Sequence, residues 1–197
     1  MKKKFLIIMC KNKLILRKPE SNLFELPFYI ENQIPNTPYY HYFFESNNDY
    51  GKIIINAIGK LRFDKLSILI PDDTLETDRR IIQEFFMLHC ATRTPTIIPQ
   101  CSLLSNTDKN YISISRSCRC ISIWYIKNNI AIASRFLDKD IKDISFIKEN
   151  IRVLHADCEY GNLPIYINNI EADMSYFDGL GQLVSFDELL KVYHESL

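Results

Sequence analysis

The chain has 197 residues, enough for one core of good size with a modest appendage. Its 24 basic and 24 acidic side chains cancel, so no bulk field draws it to nucleic acid or to an anionic membrane. A content of 47% hydrophobic and 24% charged residues excludes a disordered chain.

The apolar run Phe5–Cys10 falls far short of the roughly 20 residues of a membrane span, and Lys11 and Lys13 end it too early for a signal peptide. It is expected to be a first strand. The six cysteines are scattered without a C-x-x-C pair, which predicts reduced thiols in a cytoplasmic protein. Cys118 and Cys120, at strand spacing, are expected on one face as apolar filler, and no metal site is expected.

Lys4–Cys10 and Lys13–Arg17 are joined by Lys11-Asn12, the pattern of a hairpin. Leu23–Ile30 is broken by Pro27, which points to an edge strand or a bulge. Residues 31–48 form a loop with the aromatic anchors Tyr39, Tyr40, Tyr42, Phe43 and Phe44. Asn48-Asp49 caps a helix near Tyr50–Leu61 with Ile53, Ile54, Ala57 and Ile58 on one face. Residues 62–65 connect it to Leu66–Ile70, a buried strand, and Asp73 or Thr74 is expected to cap the helix that runs to Cys90. Along that helix Leu75, Ile82, Phe85, Phe86 and His89 share one face, with the charged residues on the other.

Thr96–Pro99 is a short strand, and Gln100–Leu104 starts a helical turn. Alternation from Tyr111 to Tyr125, the Lys127-Asn-Asn129 turn and Ile130–Phe136 predict a second hairpin. Lys139–Asn150 is a mixed-charge helix. Leu163–Ile167 is a strand, and Ser185 with Glu188 matches a capping box opening a final helix to about His194. This order fits an α/β fold, a mixed sheet with helices packed on its faces. The expected division is a core over 1–150 and a strand-loop-helix extension over 151–197 packed on the same domain.

Several groups invite chemistry. Asp72-Asp73 sits at the carboxyl end of a strand, where α/β sheets place ligand sites, although a helix cap accounts for both. Arg116 and Arg119 flank serines in a hairpin, and arginine forks match phosphate geometry. His155, Asp157, Cys158 and Glu159 gather proton carriers in five residues, but sequence neighbours rarely face one another as a nucleophile and its base must. Gly179-Leu-Gly181 is a lone G-x-G and is expected to be a plain loop.

Three segments together resemble the actin-like ATPase superfamily, with its RNase H-like core. The likeness is to the first large subdomain of the bacterial rod-shape actin homologues and, more distantly, to the heat-shock chaperone ATPases. Residues 11–20 resemble the second and third strands of that family, Ile68–Arg80 resembles its strand, Val-Pro-Ser-type triplet and Glu-Arg-Arg helix, and Tyr111–Ile126 resembles its second phosphate-loop hairpin. The resemblance covers residues 10–135.

It implies a nucleotide site, and the residues depart from it. Ser113 stands where the family's magnesium-orienting Asp would be, and Ser115, Arg116 and Ser117 stand where its three glycines would be. Residues 7–13, the first phosphate loop by the same resemblance, hold no Asp, Gly or Thr. All five glycines, at 51, 59, 161, 179 and 181, lie outside both loops. The chain is expected to be too short for the family's second large lobe. The expectation is a non-catalytic actin-like module that has lost its nucleotide site, carries no cofactor, and binds a protein partner through Tyr39–Phe44 or Glu171–Phe177. The alternative is a small phosphate-handling enzyme, a phosphotransferase or nuclease relic using Asp72, Arg116 and Arg119, with Ser113, Ser115 and Ser117 as further anion contacts.

Overall fold

A computed structural model describes residues 4–17, 23–30, 33–45, 50–58, 65–91, 93–160, 162–170 and 172–195. The expected cap Asn48-Asp49, the connector 62–64, Glu171 and residues 18–20 of the first matching segment lie outside them. The chain divides into two compact units, Met1–Ile98 and Pro99–Leu197. The boundary expected at 150 falls inside a helix of the second unit.

In the first unit β1 (Lys4–Met9), β2 (Lys13–Arg17) and β3 (Leu23–Pro27) form an antiparallel meander. Helix α1 (Tyr50–Ile58) then leads to β4 (Lys65–Ile70), which pairs parallel to β1, with Ile7 beside Ile68. Helix α2 (Glu76–His89) and β5 (Thr96–Pro99) complete the order β3-β2-β1-β4-β5. β1 and β4 lie inside the sheet, and their sequences are nearly continuous apolar runs, as strands covered on both faces require.

The core joins Phe5, Ile7 and Met9 of β1 to Ile82, Phe85 and Phe86 of α2, the last three as the helical period predicts. Leu75, placed on that face from the sequence, is instead exposed, because it precedes the first helical turn. Ile53 of α1 is exposed as well, and Tyr50 and Ile54 carry that helix's burial.

The Tyr39–Phe44 cluster corrects the expectation of a partner surface. A 3-10 turn, Tyr39–Tyr42, drives these rings inward. Phe28 stacks on Tyr39 at 4.9 Å, and Phe43 stacks on Phe85 at 4.2 Å. Tyr39, Tyr40, Tyr42 and Phe43 are all buried, and only Phe44 reaches solvent. Each buried ring contributes roughly 1.5–3 kcal/mol through apolar area alone, which is why the chain spends them on the core.

The second unit repeats the plan. Strands β6 (Asn110–Arg116), β7 (Cys120–Lys127) and β8 (Ile130–Asp138) form an antiparallel meander. Asn128 and Asn129, at φ 53° and 63°, make the two-residue turn between β7 and β8, the left-handed pair that twists with its strands. Helix α3 (Ile144–Arg152) starts later than the sequence suggested, because Asp143 caps it by accepting from Ser145 N and Phe146 N. A short helix, α4 (Ala156–Tyr160), precedes β9 (Ile165–Asn168), which pairs parallel to β6.

The crossover from β9 to the parallel β10 (Gln182–Val184) contains a 3-10 turn, Ser175–Phe177, where the first unit has α2. Met174 and Phe177 from this crossover are fully buried and belong to the core, while Asp173 and Ser175 beside them are exposed. Helix α5 (Phe186–Glu195) ends the unit, opened by Ser185 and Glu188 in the reciprocal bonds of a capping box.

The second sheet runs β10-β9-β6-β7-β8. Read from β8, this is the strand order of the first unit. The expectation that the chain has room for one large lobe is therefore overturned: each half carries its own five-stranded sheet of the same topology.

Candidate functional site

In each unit the first hairpin turn follows the strand at the middle of the sheet. In the first unit Lys11-Asn12 links β1 to β2, closed by Cys10 N–H donating to Lys13 O at 2.9 Å. In the second, Cys118-Arg119 links β6 to β7, closed by Ser117 N–H donating to Cys120 O at 3.0 Å. Cys118 thus lies in a turn and Cys120 begins β7, which corrects their placement as same-face residues of one strand.

The β6–β7 turn is bound into itself. Ser117 Oγ accepts from Arg119 N–H at 2.9 Å and from Cys120 N–H at 3.3 Å. Those amides point inward to a hydroxyl. A glycine at 117 would leave them without it.

The strand alternation then separates the remaining candidates. Ser113 and Ser115 share one face of β6, and Arg116 lies on the other with Ile112 and Ile114. Ser115 Oγ bonds to Ser122 Oγ of β7 at 2.6 Å, with both residues buried. Ser113 is fully buried opposite Trp124, and both Ser113 Oγ and Trp124 Nε1 lack a hydrogen-bond partner. Arg116 reaches Asp140 at 3.2 Å, an ion pair with an exposed partner, and Arg119 is half-buried. Ser113 and Ser115 thus lie on the face of β6 opposite to Arg116.

Asp72 belongs to the first unit, in the turn after β4. Thr74 N–H and Oγ1 both donate to Pro71 O, at 3.2 and 2.5 Å, and this closure holds Asp72 and Asp73 buried. Neither is the helix cap expected from the sequence. Helix α2 begins two residues beyond Thr74, with Leu75 as its N-cap, and the Asp78 carboxylate accepts from Leu75 N–H at 3.1 Å. Asp78 is itself buried, and it bonds His41 Nε2 at 2.7 Å and Tyr40 Oη at 3.5 Å, so it pins the aromatic 3-10 turn to the start of α2.

A cluster that local sequence could not reveal forms on the α3 side of the second sheet. Asp157 Oδ2 accepts from Tyr125 Oη at 2.6 Å and from Lys127 Nζ at 2.8 Å, both from β7. His155 Nδ1 accepts from Asp157 N–H at 3.1 Å. Burial first, and then the hydrogen bond to Asp157, push the Tyr125 hydroxyl up to about 12. The Lys127 and Tyr125 hydrogen bonds hold the Asp157 carboxyl below its usual range. Cys158 is buried, and that burial raises its thiol, the opposite of what a nucleophile needs. The cluster anchors α4 to the sheet.

A cavity of 380 Å³ in the same unit is lined by Ser102, Leu103, Ser105, Asn106, Asn129 and Glu195. Asn106 and Glu195 bond each other across it. Among the described residues no group of three or more His, Cys, Asp or Glu side chains is placed to hold a metal ion, and no helix is long and apolar enough to cross a membrane.

No family model and no curated protein matches the sequence. Solved structures do match. An N-acetylglucosamine kinase of Porphyromonas gingivalis, described as putative, aligns with TM-score 0.58 at 8% identity over 98% of this chain and 99% of its own. The AlfA filament bound to AMPPNP aligns with TM-score 0.54 at 12% identity, over 94% and 89%. MreB 5 of Spiroplasma citri bound to AMPPNP aligns with TM-score 0.50 at 7% identity, over 76% and 56%. The fold is actin-like. The chain spans little more than half the length of that MreB. At these identities the likeness fixes the actin-like fold, built from two mixed five-stranded sheets with helices, and leaves the chemistry to the residues.

Proposed function

We propose that this chain is a non-hydrolysing actin-like module that works by assembly, with itself or with another protein. The observation that carries the reading is the β6–β7 turn, whose Arg119 and Cys120 amides are taken by Ser117 Oγ. A phosphate cradle needs outward amides on a backbone that comes close to the anion, which glycine permits best. Here the residues at those positions are serines and an arginine, and Arg116 pairs with Asp140. The residues present do not fit a nucleotide with its magnesium ion. The AlfA match is a filament, and that supports assembly as the use to which such a fold is put.

The second reading, a phosphate-handling enzyme using Asp72, Arg116 and Arg119, draws on the two buried carboxylates after β4. A thermal-shift series with ATP, GTP, Mg²⁺ and Mn²⁺ separates the two. A ligand at a hundred times its dissociation constant adds about 2.7 kcal/mol to stability. No shift is the expected result. A saturable shift with nucleotide, abolished by Arg119→Ala, would overturn the first reading and establish the second.

A further inference from the structure

We propose that the 380 Å³ cavity of the second unit binds a small polyhydroxylated primary amine, with the Glu195 carboxylate as counter-ion to its ammonium group. None of its lining residues belongs to the β6–β7 turn, so the proposal stands or falls apart from the assembly reading.

The cavity is framed by segments that are each fixed elsewhere in the unit. Ser102 and Leu103 come from the 3-10 turn Gln100–Leu103. Tyr111 Oη donates to Cys101 O at 2.7 Å, and Asn168 Nδ2 donates to Gln100 Oε1 at 2.7 Å, so that turn is tied to β6 and β9. The loop after it closes on Ser105 Oγ, which accepts from Thr107 N–H at 3.3 Å and from Asp108 N–H at 3.0 Å. Asn129, in the β7–β8 turn, donates its N–H to Lys109 O at 3.1 Å, which joins turn and loop. Glu195 is the last residue of α5. Walls braced in this way form the site before a ligand arrives.

Charge and hydrogen-bonding capacity then choose the ligand. Asn106 Nδ2 donates to Glu195 Oε2, which steadies the carboxylate and leaves Oε1 without a partner among the described residues. No described lysine, arginine or histidine pairs with Glu195, and none lines the cavity. The carboxylate also stands at the C-terminal end of a ten-residue helix, where the backbone dipole adds to the negative potential. A positive guest is favoured there. No second carboxylate lines the cavity, which argues against a hard divalent metal ion. Ser102 Oγ gives its hydrogen to Pro99 O at 2.8 Å, so it meets a ligand only as an acceptor, as an ammonium or a hydroxyl donor requires. The amides of Asn106 and Asn129 can pair with hydroxyls in either sense, and Leu103 offers an apolar contact to a carbon chain. The volume holds about a dozen groups of water size at ~30 Å³ each, which suits a six-carbon amino-polyol.

Heteronuclear NMR on the full chain tests this with three probes. Glucamine is the amino-polyol, sorbitol carries a hydroxyl in place of its amine, and hexylamine lacks its hydroxyls. Glucamine should move the side-chain amide signals of Asn106 and Asn129 saturably, with a dissociation constant in about the millimolar range for a ligand of that size. Sorbitol and hexylamine should each bind about tenfold more weakly, since each lacks one half of the recognition. Glu195→Gln keeps an acceptor for Asn106 and removes the charge. With native circular dichroism, it should weaken glucamine about tenfold and leave sorbitol unchanged.

No saturable movement with glucamine overturns the inference. So does sorbitol or hexylamine binding as tightly as glucamine, or a glucamine affinity that Glu195→Gln leaves as it was.

Discussion

Two serines two residues apart on one face of β6 should answer the same substitution with opposite signs. Ser113 is fully buried with no partner for its hydroxyl, so Ser113→Ala removes an unsatisfied polar group whose burial costs about 1–3 kcal/mol. The oxygen leaves a void on the order of 15 Å³, worth about 0.4 kcal/mol at the usual cavity coefficient. The net is a gain of about 1 kcal/mol or more. Ser115 bonds Ser122 at 2.6 Å, and Ser122 is buried at 2% exposure. Ser115→Ala therefore strands the Ser122 hydroxyl and should cost about 1–2 kcal/mol, while Ser115→Ala with Ser122→Ala, which removes both partners, should return close to wild type. Urea unfolding of the four proteins, with slopes checked for constancy, reads all of this. Equal effects of the two single substitutions, or a double variant as unstable as Ser115→Ala, would refute the polar bookkeeping of this strand. Ser113→Asp, which restores the acid that the actin-like resemblance would put there, should be destabilising, because it buries a charge at a point where even the hydroxyl it replaces finds no partner among the described residues.

Further outcomes follow from the same contacts. Asp78→Ala should destabilise the first unit by about 2–3 kcal/mol by stranding Leu75 N–H and His41, and Asp78→Asn, which keeps an acceptor, by distinctly less in the same urea series. Gly181→Ala should disrupt β9–β10 pairing, since an added Cβ would lie 2.4 Å from Ile165 O, and loss of amide protection in β10 would report it. The Tyr125 pKa rises on folding from 10.0 to about 12, so its contribution is complete below pH 10 and lost as pH climbs toward 12. Tyr125→Phe should flatten that alkaline loss in a pH series of melts. Asp157 is shifted the other way, so its contribution is present above the ordinary carboxylate range and fades as pH falls through the lowered folded value, a fade that Lys127→Ala should reduce.

The parts legible in the sequence were those set by near neighbours. Five residues from Leu66 to Ile70 suffice to mark a covered strand, Asn128-Asn129 marks its turn because few other residues take left-handed φ, and Ser185 with Glu188 marks a helix start. Composition alone does not tell an exposed aromatic cluster from a core one, and Tyr39–Phe44 turned inward because Phe28, Tyr50 and Phe85 wait there from three other segments. Asp157 has Tyr125 and Lys127 as partners from some thirty positions away, which no local spacing announces. The second lobe escaped notice for a similar reason. Its defining contact, β6 with β9, joins Ile112 to Ile165 across β7, β8, α3 and α4, and its β9–β10 crossover carries a 3-10 turn where the first unit has α2. What repeats between the halves is strand order, carried by apolar residues that many sequences can supply. What differs is the turn after each central strand, Lys11-Asn12 in one and Cys118-Arg119 in the other, and a turn's amides face outward or inward according to a single side chain such as Ser117. The sheets can therefore keep an actin-like plan at about one identity in ten, and the chemistry at their turns is set by residues such as Ser113, Ser115 and Ser117 and not by the fold around them.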